Sequence, residues 1–186
     1  MGRPSLRAER RTELARAFAR VLGTHGRGGA TVAAAAAEAG MAPGLVHHYF
    51  ATKEDLYEEV LDELVRGFRR RVEARGGDDR LEAYVDAALA LDDRSDVIGA
   101  RAWVGLFAEA VSDPALFTKV RRRLDAEVAY VEGRARGTLS TVEASAVVAF
   151  VVGALVFGAF APRKAAGFAA PGLRALLAGF RRAGRV

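Results

Sequence analysis

The chain has 186 residues, 51% of them hydrophobic, so it can bury a proper core as one large or two small domains and is not disordered. It has no cysteine, which excludes disulfides, thiolate nucleophiles and cysteine-based zinc sites and suits a reducing, cytoplasmic setting. Its 28 basic and 23 acidic residues leave a net charge of +5, with a pI near 10.1, which permits nucleic acid or an anionic membrane surface as partner without choosing between them.

The distribution of charge says more than its sum. Arg3, Arg7, Arg10, Arg11, Arg16, Arg20 and Arg27 face only Glu9, Glu13 and Glu38 within the first fifty residues, which therefore hold most of the net charge. An arginine-rich arm leads into a helix whose Leu14, Phe18, Val21 and Leu22 fall at i, i+4, i+7 and i+8, one buried stripe. The basic start lacks the apolar core and small-residue cleavage site of a signal peptide. Its arginines read either as a solvated face or, through Arg3, Arg7 or Arg10, as phosphate contacts. His25 to Thr31 is glycine-rich, but it follows a helix and lacks the third glycine of a dinucleotide loop, so an interhelical loop is expected.

Thr31 to Lys53 predicts two short helices around a turn. The alanine run Ala33 to Ala37 is a strong helix former, capped by Thr31 and stopped by Gly40. Pro43 suits the first turn of a second helix that carries Leu45 to Phe50 and ends near Ala51. Thr52, three residues before Asp55, caps a third. Two helices joined by a short glycine-bearing turn form a helix-turn-helix, whose second helix enters the major groove of DNA. Ala42, Pro43, Gly44 and His47 are then placed to approach base edges, and Thr31, His48, Tyr49 and Lys53 to meet phosphates. His47 and His48 do not suggest a metal site, because neighbours on a helix point about 100° apart and His25 is the only other histidine.

The run Ala39-Gly40-Met41-Ala42-Pro43-Gly44-Leu45-Val46-His47-His48-Tyr49-Phe50, followed by Thr52-Lys53-Glu54-Asp55-Leu56, resembles the DNA-binding signature of TetR-type transcriptional repressors. The resemblance covers about Leu14 to Val60, and Gly-Leu-Val-His-His-Tyr-Phe is similar to the branch containing choline-responsive repressors. It implies that Tyr49 is split between backbone contact and packing and that Phe50 is core. Two departures stand out: the family usually has a larger aliphatic at Ala35 and an aromatic near Arg27 and Gly28, which implies a thinner core under the recognition helix.

Beyond this head, Leu56, Val60, Leu64, Phe68 and Val72 repeat every four residues along a helix expected over Lys53 to Arg75, long enough to connect a head to a body. Gly76 to Asp79 breaks the chain, and Leu81, Tyr84, Val85, Ala88 and Leu91 form the next stripe. After an Asp92 to Asp96 loop comes a helix with Trp103, Phe107 and Val111, ended by Ser112-Asp113-Pro114, where Asp113 caps the following helix and Pro114 opens it. Lys119 to Arg123 is a second basic cluster, read as a solvated face of the body because Asp125, Glu127 and Glu132 accompany it. Ser140 and Glu143 make a capping box.

Ala144 to Ala161 carries no charge, which meets the length criterion for a membrane span. It lacks an aromatic belt and lysine-rich flanks, and a helix apolar all round is equally one buried all round. Val147, Val148, Val151, Val152 and Leu155 gather on one side and Phe150, Gly153, Phe157 and Phe160 on the other, so two partners are expected: the body itself and a second subunit. A last helix is expected to open at Pro171, with Leu173, Leu176, Leu177 and Phe180 as its stripe. By the resemblance these two helices would pair across a two-fold axis.

The predicted fold is all-α: a three-helix helix-turn-helix domain over residues 1–56 with a basic arm, then a helical ligand-binding and dimerisation bundle over 57–186, about nine helices in total. The helix-turn-helix spacing predicts DNA binding. The resemblance adds a homodimer that represses from a palindromic operator and is released by a small-molecule inducer, with Tyr84, Trp103, Phe107, Phe150 and Phe157 as the expected pocket. Arg101, Glu109 or the Tyr84 hydroxyl would orient a ligand there. The alternatives are a constitutive DNA-binding regulator and a membrane-anchored one. Without cysteine, metal-ligand spacing or a glycine-framed nucleophile, no enzyme activity, metal or cofactor is expected.

Overall fold

The computed structural model describes residues 6–75, 81–89 and 94–183; Arg3, the break at Gly76 to Asp79, Leu91 and Asp92 lie outside them. Among the described residues the chain is all-α: α1 Leu6–Gly29, α2 Val32–Glu38, a 3-10 turn Pro43–Leu45, α3 Val46–Tyr49, α4 Lys53–Ala74, α5 Leu81–Ala88, α6 Arg94–Ser112, α7 Pro114–Ala135, α8 Thr141–Phe160 and α9 Pro162–Ala183. The chain divides into two compact units that are not contiguous in sequence. One comprises residues 1–66 and 101–120, the other 67–100 and 121–186, so α4, α6 and α7 each contribute to both.

In the first unit Leu14, Phe18 and Leu22 of α1 lie at 1% exposure or less, with Ala35 and Ala36 of α2, Val46, Phe50, Leu56, Tyr57 and Val60 around them. Fully burying a side chain of this size is worth about 1.5–3 kcal/mol, so this interior, and not the short helices, stabilises the head. Phe18 and Tyr57 meet edge to face, centroids 5.1 Å apart. Ala102, Leu106 and Ala110 of α6 and Leu116 of α7 complete the same core. At Gly105 a Cβ would stand 2.8 Å from Leu22 Cδ1, so only glycine lets the α6 backbone approach α1 this closely. Ala35, where the resemblance expects a larger aliphatic, is buried in the same cluster as Ala36, Val46 and Phe50.

The second unit is built on Val72, Leu81, Tyr84, Val85, Ala88, Val131, Val147, Val148, Val151, Leu173 and Leu177. Arg174 of α9 is ion-paired with Asp86 of α5. The Ser140–Glu143 capping box is formed: Ser140 Oγ accepts from the Glu143 amide at 3.3 Å and Glu143 Oε2 accepts from the Ser140 amide at 2.7 Å. The α8 face bearing Val147, Val148 and Val151 is buried, whereas Val142, Ala149, Gly153, Val156, Phe157 and Phe160 are exposed. Among the described residues α8 is the one helix long and apolar enough to cross a membrane.

Several sequence expectations shift. The loop expected at His25 to Thr31 shrinks to Ala30 and Thr31: the chain kinks at Gly26 (φ +68°) and helix resumes to Gly29. The left-handed φ suits glycine and redirects the chain without a true loop. Helix α6 begins at Arg94, inside the expected Asp92 to Asp96 loop. The last helix opens at Pro162, not Pro171, and runs through Pro171. Pro162 supplies the favoured first-turn proline; Pro171 forgoes one intrahelical bond, and the buried Ala169, Leu173 and Leu177 hold the helix on both sides of it. Lys119, expected on a solvated face of the body, lies in the first unit and is ion-paired with Glu58 of α4.

Candidate nucleic-acid interface

Helix α2 is closed at both ends by its own sequence. Thr31 (φ −107°, ψ 159°) accepts from the Ala34 amide through Oγ1 at 3.0 Å. At the other end Gly40, at φ +64°, donates to the Ala37 carbonyl at 3.1 Å while Met41 donates to the Ala36 carbonyl at 2.8 Å. That pair of bonds is a Schellman closure, which requires the left-handed residue glycine supplies.

Ala42 is extended, and Pro43 then opens the recognition element as a single 3-10 turn that passes into one turn of α helix, Val46–Tyr49. The element is shorter than the sequence predicts: Phe50, at φ −132° and ψ 121°, is already extended and buried. Its side chain goes into the core, which takes the backbone out of the helix before Ala51. Thr52 and Asp55 then cap α4 reciprocally, amide to side chain at 3.2 and 3.1 Å.

The expected contact residues fall as follows. Ala42, Pro43, Gly44, His47 and His48 are exposed, Tyr49 is half-buried, and Thr31 and Lys53 are exposed beside them. The Thr31 hydroxyl uses a lone pair as cap and keeps its proton for donation. Arg7 is exposed on the first turn of α1. Lys53 Nζ sits 3.7 Å from Glu109 Oε1 of α6, and Arg27 Nε lies 2.6 Å from the other oxygen of the same carboxylate. Glu109, expected to orient a ligand, is thus engaged with the head.

Three residues of this surface escaped the sequence reading. Leu45 is 44% exposed between Gly44 and Val46, an apolar group on the open edge of the recognition element. Arg11 reaches from α1 to the end of α3, and Glu109 reaches Lys53 from far along the chain. The exposure of Leu45 was signalled by its place beside Pro43 and Gly44; the other two have no local signal.

The five aromatic residues of the expected pocket are distributed over both units. Trp103 and Phe107 meet at a tilt in the first, centroids 5.6 Å apart. Tyr84, Phe150 and Phe157 belong to the second. Tyr84 is buried edge-on against Phe68 at 5.4 Å, and its phenol is pushed well above the usual range by burial, with the Glu127 carboxylate adding to the effect. Phe157 is exposed and packs edge-on against Phe168 at 5.2 Å. Arg101 is exposed on α6.

A capped helix, a Schellman turn and a short exposed recognition element define a helix-turn-helix head. Residues 14–60 match the model for bacterial regulatory proteins of the tetR family. The chain is 34% identical over 106 residues to the HTH-type transcriptional regulator BetI of Agrobacterium fabrum, a match covering 54% of this chain and 51% of that protein. The chain thus spans about half the length of that relative. A transcriptional regulator from Rhodococcus sp. Rha1 superimposes with a TM-score of 0.81 at 23% identity, covering 93% of this chain and 96% of that one. The multidrug binding protein EbrR, solved with imidazole, gives a TM-score of 0.66 at 25% identity over 90% of this chain and 94% of its own. Head and fold together are similar to those of TetR-type regulators.

Proposed function

We propose that the protein is a transcriptional repressor of the cytoplasm that binds a palindromic operator as a homodimer and leaves it when a small molecule binds. The observation that carries the DNA-binding half is the exposed edge Ala42, Pro43, Gly44, Leu45 and His47, flanked by Thr31 and Lys53 in a head with the tetR-family match. Base-edge contacts from the first group would specify sequence, and phosphate contacts from Thr31, His48, Tyr49, Lys53, Arg3 and Arg7 would position the head. The uncharged exposed face of α8 supports the two-fold assembly, with a second copy and not lipid as its cover. The effector half is supported by EbrR, described as a multidrug binding protein and solved with imidazole.

Selection of duplexes from a random pool tests the first half. An inverted repeat whose half-sites lie roughly 34–36 Å apart is the expected product; enrichment of no sequence would sink the reading. The second half is tested by screening small molecules for quenching of Trp103, the only tryptophan, and titrating each hit against the protein–operator complex. By linkage, the factor by which an inducer weakens DNA binding must equal the factor by which DNA weakens inducer binding. A constitutive regulator would show operator binding that no bound molecule alters.

A further inference from the structure

We propose that Arg11 is the positioning residue of the recognition helix, holding its carboxyl end at a fixed angle to α1 without touching DNA. The proposal rests on the DNA-binding reading above. Helix α3 has four residues, too few to hold its own shape or direction. Its direction must come from what grips it. On one side Val46 and Phe50 are buried at 2% and 3% exposure. At its end the Arg11 guanidinium donates from Nη1 to the Tyr49 carbonyl at 2.5 Å and lies over the Phe50 ring at 4.3 Å.

The guanidinium is itself held. Glu59 of α4 accepts from Arg11 Nη2 at 3.1 Å and from Arg66 Nη2 at 2.9 Å. Arg66 donates in turn to Glu63 at 2.9 Å, and Glu63 accepts from Arg16 of α1 at 2.6 Å. This row of alternating charges, Arg16, Glu63, Arg66, Glu59, Arg11, joins α1 to α4 and ends on the last carbonyl of α3. Only a planar fork donates to a carbonyl and a carboxylate while stacking on a ring; an ammonium supplies the charge without that geometry. Arg11 differs here from Arg7, which is exposed with no ion pair among the described residues.

Arg11→Lys keeps the charge and removes the fork, and Glu59→Gln leaves the fork without its anchor. For both variants the expected result is operator affinity lowered about tenfold, the worth of one good base contact, with affinity for random duplex and the slope of log K against log salt unchanged. Loss on both duplexes together with a slope lower by about one would make Arg11 a phosphate contact and overturn the proposal, as would wild-type operator affinity in Arg11→Lys. Amide hydrogen exchange in the full chain without DNA reads the positioning directly: His48 to Phe50 should exchange faster in Arg11→Lys while α2 and α4 keep their protection. Unchanged exchange there overturns the proposal even if the protein binds DNA. Failure of the unmodified protein to bind any duplex, with the exchange difference present, would instead overturn the DNA-binding reading alone.

Discussion

Lys53 Nζ stands 3.7 Å from Glu109 Oε1, so a lysine at the start of α4, beside the recognition element, shares its charge with a carboxylate from α6. The same carboxylate draws in Arg27. Glu109 therefore competes with any phosphate that Lys53 meets. Glu109→Gln should strengthen binding to all duplexes by about fivefold at low salt, since unit charges at 4 Å in water interact by about 1 kcal/mol, and the gain should fade as salt rises. Arg27 and Lys53 are substantially exposed but Glu109 is only 15% exposed, so the weakened pairing should cost about 1–3 kcal/mol of folding stability. Mobility-shift titrations at two salt concentrations check this, and a gain confined to the operator would contradict it.

Lys53 and His47 should separate cleanly in their effects on binding. Lys53→Ala is expected to weaken operator and random duplex alike and to reduce the salt slope by about one. His47, exposed on the first turn of the recognition helix, is expected to relax sequence preference on replacement by Ala while leaving that slope alone. Placing Lys53→Ala in the Glu109→Gln background should abolish the gain from Glu109→Gln, because the two side chains act as one pair. Additive effects in that cycle would show that Glu109 acts through something else.

Tyr57 gives a test in alkaline solution. Its phenol pKa is raised from 10.0 to about 12, first by burial and then by the Glu109 carboxylate. The folded chain keeps this proton where the unfolded chain releases it, so the contribution to stability is complete below pH 10 and is lost as pH rises to about 12. Tyr57→Phe removes that loss, and it also deletes a buried hydroxyl that has no hydrogen-bond partner among the described residues. Urea midpoints should show the variant about 1 kcal/mol more stable at neutral pH, with a wider margin at pH 11. A less stable variant at both pH values would mean the hydroxyl is satisfied in solution.

What the sequence made legible is local. Thr31, Thr52 with Asp55, Asp113 with Pro114, and Ser140 with Glu143 each bond within three residues of themselves, so their roles can be read from spacing alone. Tyr57 could not be read this way: the four-residue stripe through Leu56 and Val60 leaves it one step off, and it is Phe18, far away in the chain, that encloses it. By sequence Trp103 and Phe107 group with Tyr84, since all are aromatic and fall on expected body helices, but that part of α6 packs into the first unit's core together with Leu22 and Phe18. On α8 periodicity fails for a different reason. A helix apolar all round has no polar face to mark its outside, so which side stays exposed is decided by its neighbours and not by its own sequence.

That exposed side makes the last prediction. Val142, Ala149, Gly153, Val156 and Phe160 follow one another at helical spacing along α8, and Phe168, Pro171, Ala175 and Ala178 are exposed on α9. A charge introduced there is solvated in a single protomer and buried without a partner in a two-fold dimer, where it is costly. Leu177, which the sequence also offers as an interface position, is unsuitable because it is 6% exposed within its own unit's core, and Asp there would damage the fold instead of the assembly. Gly153→Asp and Phe160→Asp avoid this: nothing lies within 4 Å of a Cβ at Gly153, and Phe160 is 79% exposed. Both variants should melt as cooperatively as the unmodified protein, yet light scattering at micromolar concentration should find monomer where the unmodified chain gives dimer. On DNA they should keep weak binding to a single half-site and lose the added affinity that two half-sites about one helical turn apart confer on a dimer. A monomeric unmodified chain, or variants that remain fully dimeric, would assign this apolar face to a different partner.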